Sequence, residues 1–168
     1  MFIFLRRSSG EFMIKVNIVA VGKIKEKYFL DGILEYSKRL SKYCDFKIIE
    51  VAEENYSKAG DGEIAIIKEK EALRIAPYLK GQVIAMAIEG KKVSSESLAK
   101  RLKGFIDSGK EVTFIIGGSY GLSSDIKAKA TELMSFSDMT FPHAMFRMIL
   151  SEQIYRAFTI INGTPYHK

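Results

Sequence analysis

The stretch Glu111–Asp125, EVTFIIGGSYGLSSD, decides the fold class. Its apolar run ends at Ile116 and is followed at once by Gly117, Gly118 and Gly121, and then by serines and an aspartate that can cap a helix. Open α/β sheets bind their ligands at the carboxyl ends of buried parallel strands. The stretch therefore predicts a strand, a loop and a helix at the position where α/β proteins usually bind a nucleotide.

The glycine spacing fits neither of the two familiar phosphate-binding loops. The pattern G-x-G-x-x-G is one position short, and no Gly-Lys-Ser/Thr follows. A dinucleotide site also requires an acidic residue about twenty residues further on, and Glu132 is too close to the loop. Taken alone, the loop is as consistent with a structural turn as with a ligand site.

Strand-like and helix-like segments alternate along the rest of the chain. Strands are predicted at 14–21, 45–51, 82–90, 111–116 and 137–141, and helices over about 29–43, 64–79, 94–105, 123–133 and 143–160. This alternation predicts a parallel α/β sheet with helices on both faces. No linker interrupts it, so residues 13–168 are expected to form one domain, preceded by a disordered leader or artificial extension at 1–12.

Composition narrows the classes of function. The 168 residues include 26 Lys and Arg against 20 Asp and Glu, a net charge of +6 that is compatible with RNA but by itself favours an ordinary basic cytosolic protein. One cysteine and two distant histidines provide no zinc-binding spacing, so no metal is expected. The apolar opening is too short to span a bilayer. We therefore expect a cytoplasmic protein that does not bind membranes.

The segment 143–160 is apolar nearly all round, which predicts burial on more than one side and hence a homodimer interface. His143, Arg147 and Ser151 follow at steps of four and share one helical stripe. The stripe is a candidate site. The alternative is that Arg147 and Glu152 stabilise the interface while His143 caps the helix. In the tail, Tyr166 could stack on a base, or the terminus could simply fray.

Four segments together resemble a known family. VAVGKIKEKY (19–28), IIGGSYGL (115–122), SFSDMTFPHAMFRMILSEQIYRAF (135–158) and PYHK (165–168) are similar to the corresponding segments of the RlmH family. These bacterial methyltransferases belong to the knotted SPOUT class and modify a pseudouridine of large-subunit ribosomal RNA. The similarity runs in order from Met13 to Lys168, although the bulky Tyr120 and the leader depart from the family pattern.

The resemblance implies a parallel-sheet SPOUT fold in which the C-terminal part forms a deep trefoil knot, against the general rule that chains avoid knots. It also implies that S-adenosylmethionine binds in the knot, with its adenine held largely by backbone groups. By matching motif, the cofactor residues would be Met86, Gly117, Phe136, Ser137, Asp138, Met139, Thr140 and Phe141.

The family's product is N3-methylpseudouridine in the helix 69 loop of 23S ribosomal RNA, made on assembled ribosomes. Its active site lies at a dimer interface, where the tail of one subunit meets the cofactor of the other. The resemblance thus implies catalytic roles for His143, Arg147 and His167, and RNA contacts for Tyr155, Arg156 and Tyr166. Two other hypotheses stay open: a small-molecule methyltransferase or nucleotide-binding enzyme, and a basic RNA-binding module without catalysis.

Overall fold

A five-stranded parallel sheet occupies the centre of the computed structural model, which describes residues 5–6, 12–54 and 59–167. The elements in chain order are β1 (Leu5–Arg6), β2 (Phe12–Met13), β3 (Lys15–Val21), α1 (Lys27–Leu40), β4 (Asp45–Val51), α2 (Asp61–Ile75), a 3-10 turn (Ala76–Tyr78), β5 (Gln82–Lys92), α3 (Ser95–Asp107), β6 (Val112–Ile116), α4 (Ser124–Lys129), β7 (Glu132–Ser135) and α5 (His143–Ile161). The strand order is β4-β3-β6-β5-β7, and β1 and β2 form a separate antiparallel pair.

The central strands are apolar on both faces because helices cover both faces of the sheet. Every residue of β6 is buried, and its pleat sends Phe114 to one face and Ile115 to the other. Phe114 lies in a cluster with apolar residues of α1, α3 and α5. Ile115 lies in a second cluster with Ile75 of α2 and Ile126 of α4. The predicted parallel α/β sheet is confirmed.

Helix α5 lies on the sheet between α1 and α3, which explains most of its apolar character. The approach of α1 is close: a Cβ on Gly32 would lie 2.4 Å from Sδ of Met148. A large part of the burial that the sequence assigned to a second subunit is thus supplied within the chain. The remaining face, here called the outer stripe, is half-buried and contains Met145, Ile149, Glu152 and Arg156.

The last strand lies earlier than the sequence pattern predicted. A strand was predicted at 137–141, but β7 is Glu132–Ser135 and residues 137–141 form a loop, so that prediction is wrong. Helix α4 correspondingly ends at Lys129 instead of reaching Leu133. Thr131 immediately precedes the strand, and its N–H donates to the carbonyl oxygen of Val83 at 2.7 Å, which aligns the chain with β5.

Two further predictions from the sequence concern residues 1–12 and membrane binding. Residues 1–4 and 7–11 lie outside the described residues, so the prediction of a disordered leader at 1–12 stays a prediction. In the part of the chain that the structure describes, no helix is both long enough and apolar enough to cross a membrane.

Two glycines should respond oppositely to the same substitution. Gly81 has a φ of +66°, and a Cβ there would lie 2.0 Å from the carbonyl oxygen of Glu111, so Gly81→Ala should cost at least about 1–3 kcal/mol. Gly104 lies within α3 with nothing within 4 Å, so Gly104→Ala should stabilise by about 0.5–1 kcal/mol. Urea unfolding measures both free energies. Equal effects would contradict the turn geometry at Gly81.

Candidate functional site

A cleft of about 1210 Å³ opens at the carboxyl ends of the strands, where the glycine loop lies. Its walls come from the segment after β3, the ends of β5 and β6, the loop after β7 and the first turn of α5. The principal lining segments are Tyr28–Phe29, Met86–Glu89, Ile116–Leu122, Met134–Ser137 and Met139–Phe146, with Lys23, Lys25, Glu26, Glu53 and Lys127 beside them.

The glycine loop forms one wall of the cleft, and its glycines are required by close backbone contacts. A Cβ on Gly117 would lie 2.8 Å from the carbonyl carbon of Gly121. Gly121 has a φ of +77°, and its N–H donates to the carbonyl oxygen of Gly118 at 3.0 Å. The turn leaves Tyr120 37% exposed, lining the cleft. The bulky tyrosine therefore fits this tight turn without backbone strain.

The loop between β7 and α5 forms the facing wall. Its fold is set by Ser137, whose carbonyl oxygen accepts a hydrogen bond from Oγ of Ser135 at 2.9 Å and whose own Oγ accepts from the N–H of Met139 at 3.0 Å. Phe146 of α5 packs against the rings of Phe136 and Phe141, with centroid distances of 5.6 and 6.2 Å. The aromatic contacts fix this loop to the start of α5.

The structure brings most of the predicted cofactor residues together in this cleft. The lining includes Met86, Gly117, Phe136, Ser137, Met139, Thr140 and Phe141, and His143 joins them from α5. Asp138 is the exception. Its exposed carboxylate forms a salt bridge with Lys92 and is absent from the lining.

Arg147, a predicted catalytic residue, is fully buried and does not line the cleft. Its Nη1 donates to Oε1 of Glu50 at 2.9 Å, and its Nη2 donates to the carbonyl oxygen of Val21 at 2.5 Å. Burial lowers the pKa of Arg147, and the charge of Glu50 opposes that shift. The side chain thus ties α5 to the ends of β3 and β4. Of the predicted stripe, only His143 lines the cleft, because Ser151 is buried as well.

The remaining predicted site residues lie at the other end of α5 and are here called the tail group: Tyr155, Arg156, Tyr166 and His167. The ring of Tyr166 packs edge-on against Tyr155 at 4.9 Å, lies 4.7 Å from the guanidinium of Arg156, and donates from its hydroxyl to Oε1 of Glu152 at 3.1 Å. Burial raises the pKa of Tyr166. His167 Nδ1 lies 3.3 Å from Nη1 of Arg156.

The two groups are far apart in one chain. Arg156 follows His143 by thirteen helical residues, a distance of about 20 Å along α5 at 1.5 Å per residue. The second ring nitrogen of His167, Nε2, lies 2.8 Å from Oε1 of Glu96 at the start of α3. The tail is therefore held against its own α3 and α5, away from its own cleft.

Sequence reasoning missed two acidic residues beside the glycine loop. Oε1 of Glu53 accepts a hydrogen bond from Oγ of Ser119 at 2.8 Å, and Glu53 lines the cleft. Glu71 is 3% exposed, accepts from the N–H of Glu54 at 3.2 Å and lies against Gly118. The position of Glu53 just after a parallel strand was a usable signal. Glu71 had no such signal, because it lies in a run of four charged residues, 68–71, which is typical of a solvent-facing helix surface.

Among the described residues, no group of three or more His, Cys, Asp or Glu side chains is arranged to hold a metal ion. The lone Cys44 is buried, and its burial raises the pKa of its thiol. The chemistry available at the cleft is therefore that of a nucleotide-sized space with backbone, aromatic, lysine and carboxylate groups on its walls.

Comparison with known proteins gives consistent matches. A family model described as "Predicted SPOUT methyltransferase" matches residues 14–167. The ribosomal RNA large subunit methyltransferase H of Streptococcus uberis is 51% identical over 158 residues, covering 92% of this chain and 99% of that protein. Its namesake from Acetivibrio thermocellus is 49% identical with the same coverage. A solved structure of a probable methylase family protein from Haemophilus influenzae has a TM-score of 0.52 at 14% identity, covering 89% of this chain and 67% of that one, and so has the same fold.

Arg147→Met should destabilise the protein strongly. The substitution leaves the carbonyl oxygen of Val21 without its donor and Glu50, which is 33% exposed, without its cation, and an orphaned buried acceptor typically costs about 1–3 kcal/mol. Arg39→Met is the matched control, because the Arg39–Glu35 pair is exposed and worth about 1 kcal/mol or less. Urea unfolding compares the two. A loss below about 1 kcal/mol for Arg147→Met would show that the residue is no structural anchor.

Glu71 should make stability depend on pH in an unusual direction. Burial raises its pKa in the folded state, so its contribution is fully present below the unfolded pKa and is lost as pH rises through the folded pKa. Glu71→Gln should therefore gain stability relative to wild type between pH 4 and pH 7, as measured by urea unfolding. Glu54→Gln is the control with the opposite sign, because Arg74 lowers the pKa of Glu54. Parallel pH profiles for both variants would contradict this prediction.

Proposed function

This chain belongs to the SPOUT methyltransferase family and, within it, to the ribosomal RNA large subunit methyltransferase H family, and from that premise we propose its reaction. The proposed reaction transfers a methyl group from S-adenosylmethionine to N3 of a pseudouridine in the helix 69 loop of 23S ribosomal RNA, on assembled ribosomes. The observation that carries the proposal is the cleft, whose two facing walls are the glycine loop and the segment 134–146.

The cleft fits the proposed cofactor in size and in chemistry. Small-molecule pockets usually enclose about 300–1,000 Å³, so a cleft of about 1210 Å³ has room for a nucleoside cofactor and part of a target nucleotide. Met86, Ile116 and Met134 provide an apolar floor, and the loops at 117–121 and 136–141 provide backbone groups for the adenine and ribose. When bound, S-adenosylmethionine supplies a methyl group on an electrophilic sulfonium. We propose that these loops are threaded as the trefoil knot that the family implies.

A homodimer would complete the site. The outer stripe of α5 leaves Met145 and Ile149 half-exposed, which is the kind of apolar surface that a second copy can cover. The tail group cannot reach its own cleft, because about 20 Å of α5 separates them. Two α5 helices packed in opposite directions along their outer stripes would bring the tail of each subunit to the cleft of the other. The active site is then shared between the subunits.

The residues divide the chemical work in this arrangement. The imide N3–H must be lost for N3 to act as a nucleophile, so a nearby positive charge favours the reaction. Arg156 is half-buried in the tail group and is paired with Glu152, and in the proposed reaction it supplies that charge by exchanging Glu152 for the base, whereas Arg147 acts by holding α5 in place. His143 contacts the target base from the cleft, while Tyr155 supports the stacking ring of Tyr166.

His167 is the proposed base, and its surroundings define a requirement for that role. A hydrogen donated by Arg156 to Nδ1 leaves the ring hydrogen on Nε2, directed at Glu96. Both ring nitrogens are then occupied. His167 must therefore exchange one of these two partners when RNA docks before it can accept the N3 proton.

Subunit complementation tests the shared site. One variant carries Gly117→Val in the cleft, and the other lacks residues 164–168 of the tail. Each alone should transfer almost no labelled methyl to ribosomes from cells that lack this protein. Unfolded and reassembled as a 1:1 mixture, they should recover about a quarter of wild-type activity, since half of the dimers are mixed and each mixed dimer has one intact site.

Two controls separate the alternatives. Free pseudouridine in place of ribosomes should accept no methyl, whereas a small-molecule methyltransferase would modify it. Mass analysis of the ribosomal RNA should place the new methyl in the helix 69 loop. Methyl transfer by the mixture at the level of the separate variants would rule out the shared site, and absence of transfer by wild type would leave the nucleotide-binding enzyme and the RNA-binding module.

A further inference from the structure

We propose that Lys23, Lys25 and Tyr28 form a second RNA subsite at the rim of the cleft, which holds the unpaired nucleotides next to the target. The two lysines contact phosphates, and the tyrosine ring stacks on a neighbouring base. This inference rests on the proposed function and specifies which residues of the chain position its RNA substrate.

The three residues lie together at the rim and are open to solvent. All three line the cleft, both lysines are exposed, and Tyr28 is 67% exposed. Ile24 lies between the lysines and is buried in a cluster with Phe29. Because side chains alternate in an extended segment, burial of Ile24 directs Lys23 and Lys25 to the same, outward side.

The lysines are the available cations on this rim. In the described part of the chain neither Lys23 nor Lys25 is joined to a carboxylate, whereas Lys127, the third lysine of the lining, is paired with Glu89. Glu26, the acid between them and Tyr28, accepts a hydrogen bond from the backbone N–H of Lys25 at 3.3 Å. Two uncompensated ammonium groups next to a ligand cleft suit the phosphates of a polyanion.

The backbone beneath these side chains is firmly held. The N–H of Ile24 donates to Oε1 of Glu50 at 3.2 Å, and the same oxygen accepts from Arg147. The ring of Tyr28 lies 4.4 Å from that of the buried Phe29, which anchors the first turn of α1. The subsite is therefore presented by a segment that is fixed before RNA arrives, which lowers the entropic cost of binding.

The combination of groups matches single-stranded RNA. Proteins recognise unpaired loops by stacking bases on aromatic side chains while cations follow the backbone. A base on Tyr28 and phosphates at Lys23 and Lys25 would lie directly beside the cleft that takes the target nucleotide. Methyl transfer then requires that the flanking nucleotides be splayed along the rim.

Steady-state methylation of ribosomes at several KCl concentrations and fixed Mg²⁺ tests the subsite. Lys23→Ala/Lys25→Ala should lower kcat/KM about tenfold at 0.15 M KCl and make the slope of log kcat/KM against log [KCl] shallower by about 1.4. Tyr28→Ala should lower kcat/KM at least about fivefold, and Tyr28→Phe should stay within about twofold of wild type, because stacking requires only the ring. The affinity of all variants for S-adenosylmethionine should be unchanged.

Lys110→Ala is the matched control, since Lys110 is exposed and lies just before β6, at the amino ends of the strands, opposite the cleft. It should leave both kcat/KM and the salt slope at their wild-type values. A wild-type slope in the lysine variant together with wild-type kcat/KM in Tyr28→Ala would overturn the subsite while leaving the proposed function intact. Loss of cofactor affinity would also overturn it, by assigning the residues to the cofactor. If wild type does not methylate ribosomes, the proposed function fails and the subsite fails with it.

Discussion

The buried guanidinium of Arg147 is the contact on which the arrangement of the cleft depends. It reaches from α5 to the carbonyl oxygen of Val21 and to the carboxylate of Glu50, residues 126 and 97 positions away in the chain. Glu50 in turn holds the backbone of Ile24. A single cation thus fixes the start of α5 and the segment after β3 to the same sheet edge. Because buried charges require such partners, the contact also restricts how these elements can pack.

The separation of the cleft from the tail group is the reason for proposing a homodimer. One chain provides a space for a methyl donor, and the opposite end of its longest helix carries the arginine, tyrosine and histidine that suit an RNA base. Proximity of reacting groups is among the largest contributions to catalysis. Because about 20 Å separates the cleft from the tail group, the two are not in proximity within one chain. Association of two chains would bring the cleft of one subunit and the tail of the other together into one site.

The sequence predicted the parts of the fold that local chemistry determines. The buried run of β6 and the starts of α3 and α5 all lie where residue patterns placed them. It failed at β7, because Ile126, Ala130 and Leu133 have helical spacing while edge pairing with β5 takes over after Lys129. The structural role of Arg147 was equally invisible, since its partners are distant in sequence. Nothing in the sequence distinguishes Lys23 and Lys25 from the other Lys and Arg residues, 26 in all, and only the fold shows that they lie on the rim of the cleft.

The absence of a side chain at Gly117 allows the glycine loop to form its wall of the cleft. Main-chain atoms of Gly121 and Leu122 already fill the space that a side chain on Gly117 would need. In a library of random variants, replacements at this position would be eliminated whatever their polarity or charge. The neighbouring Tyr120 lines the same cleft without a positive φ, so other side chains fit the backbone at that position. Laboratory evolution of a new substrate preference should therefore select substitutions at Tyr120 and retain Gly117.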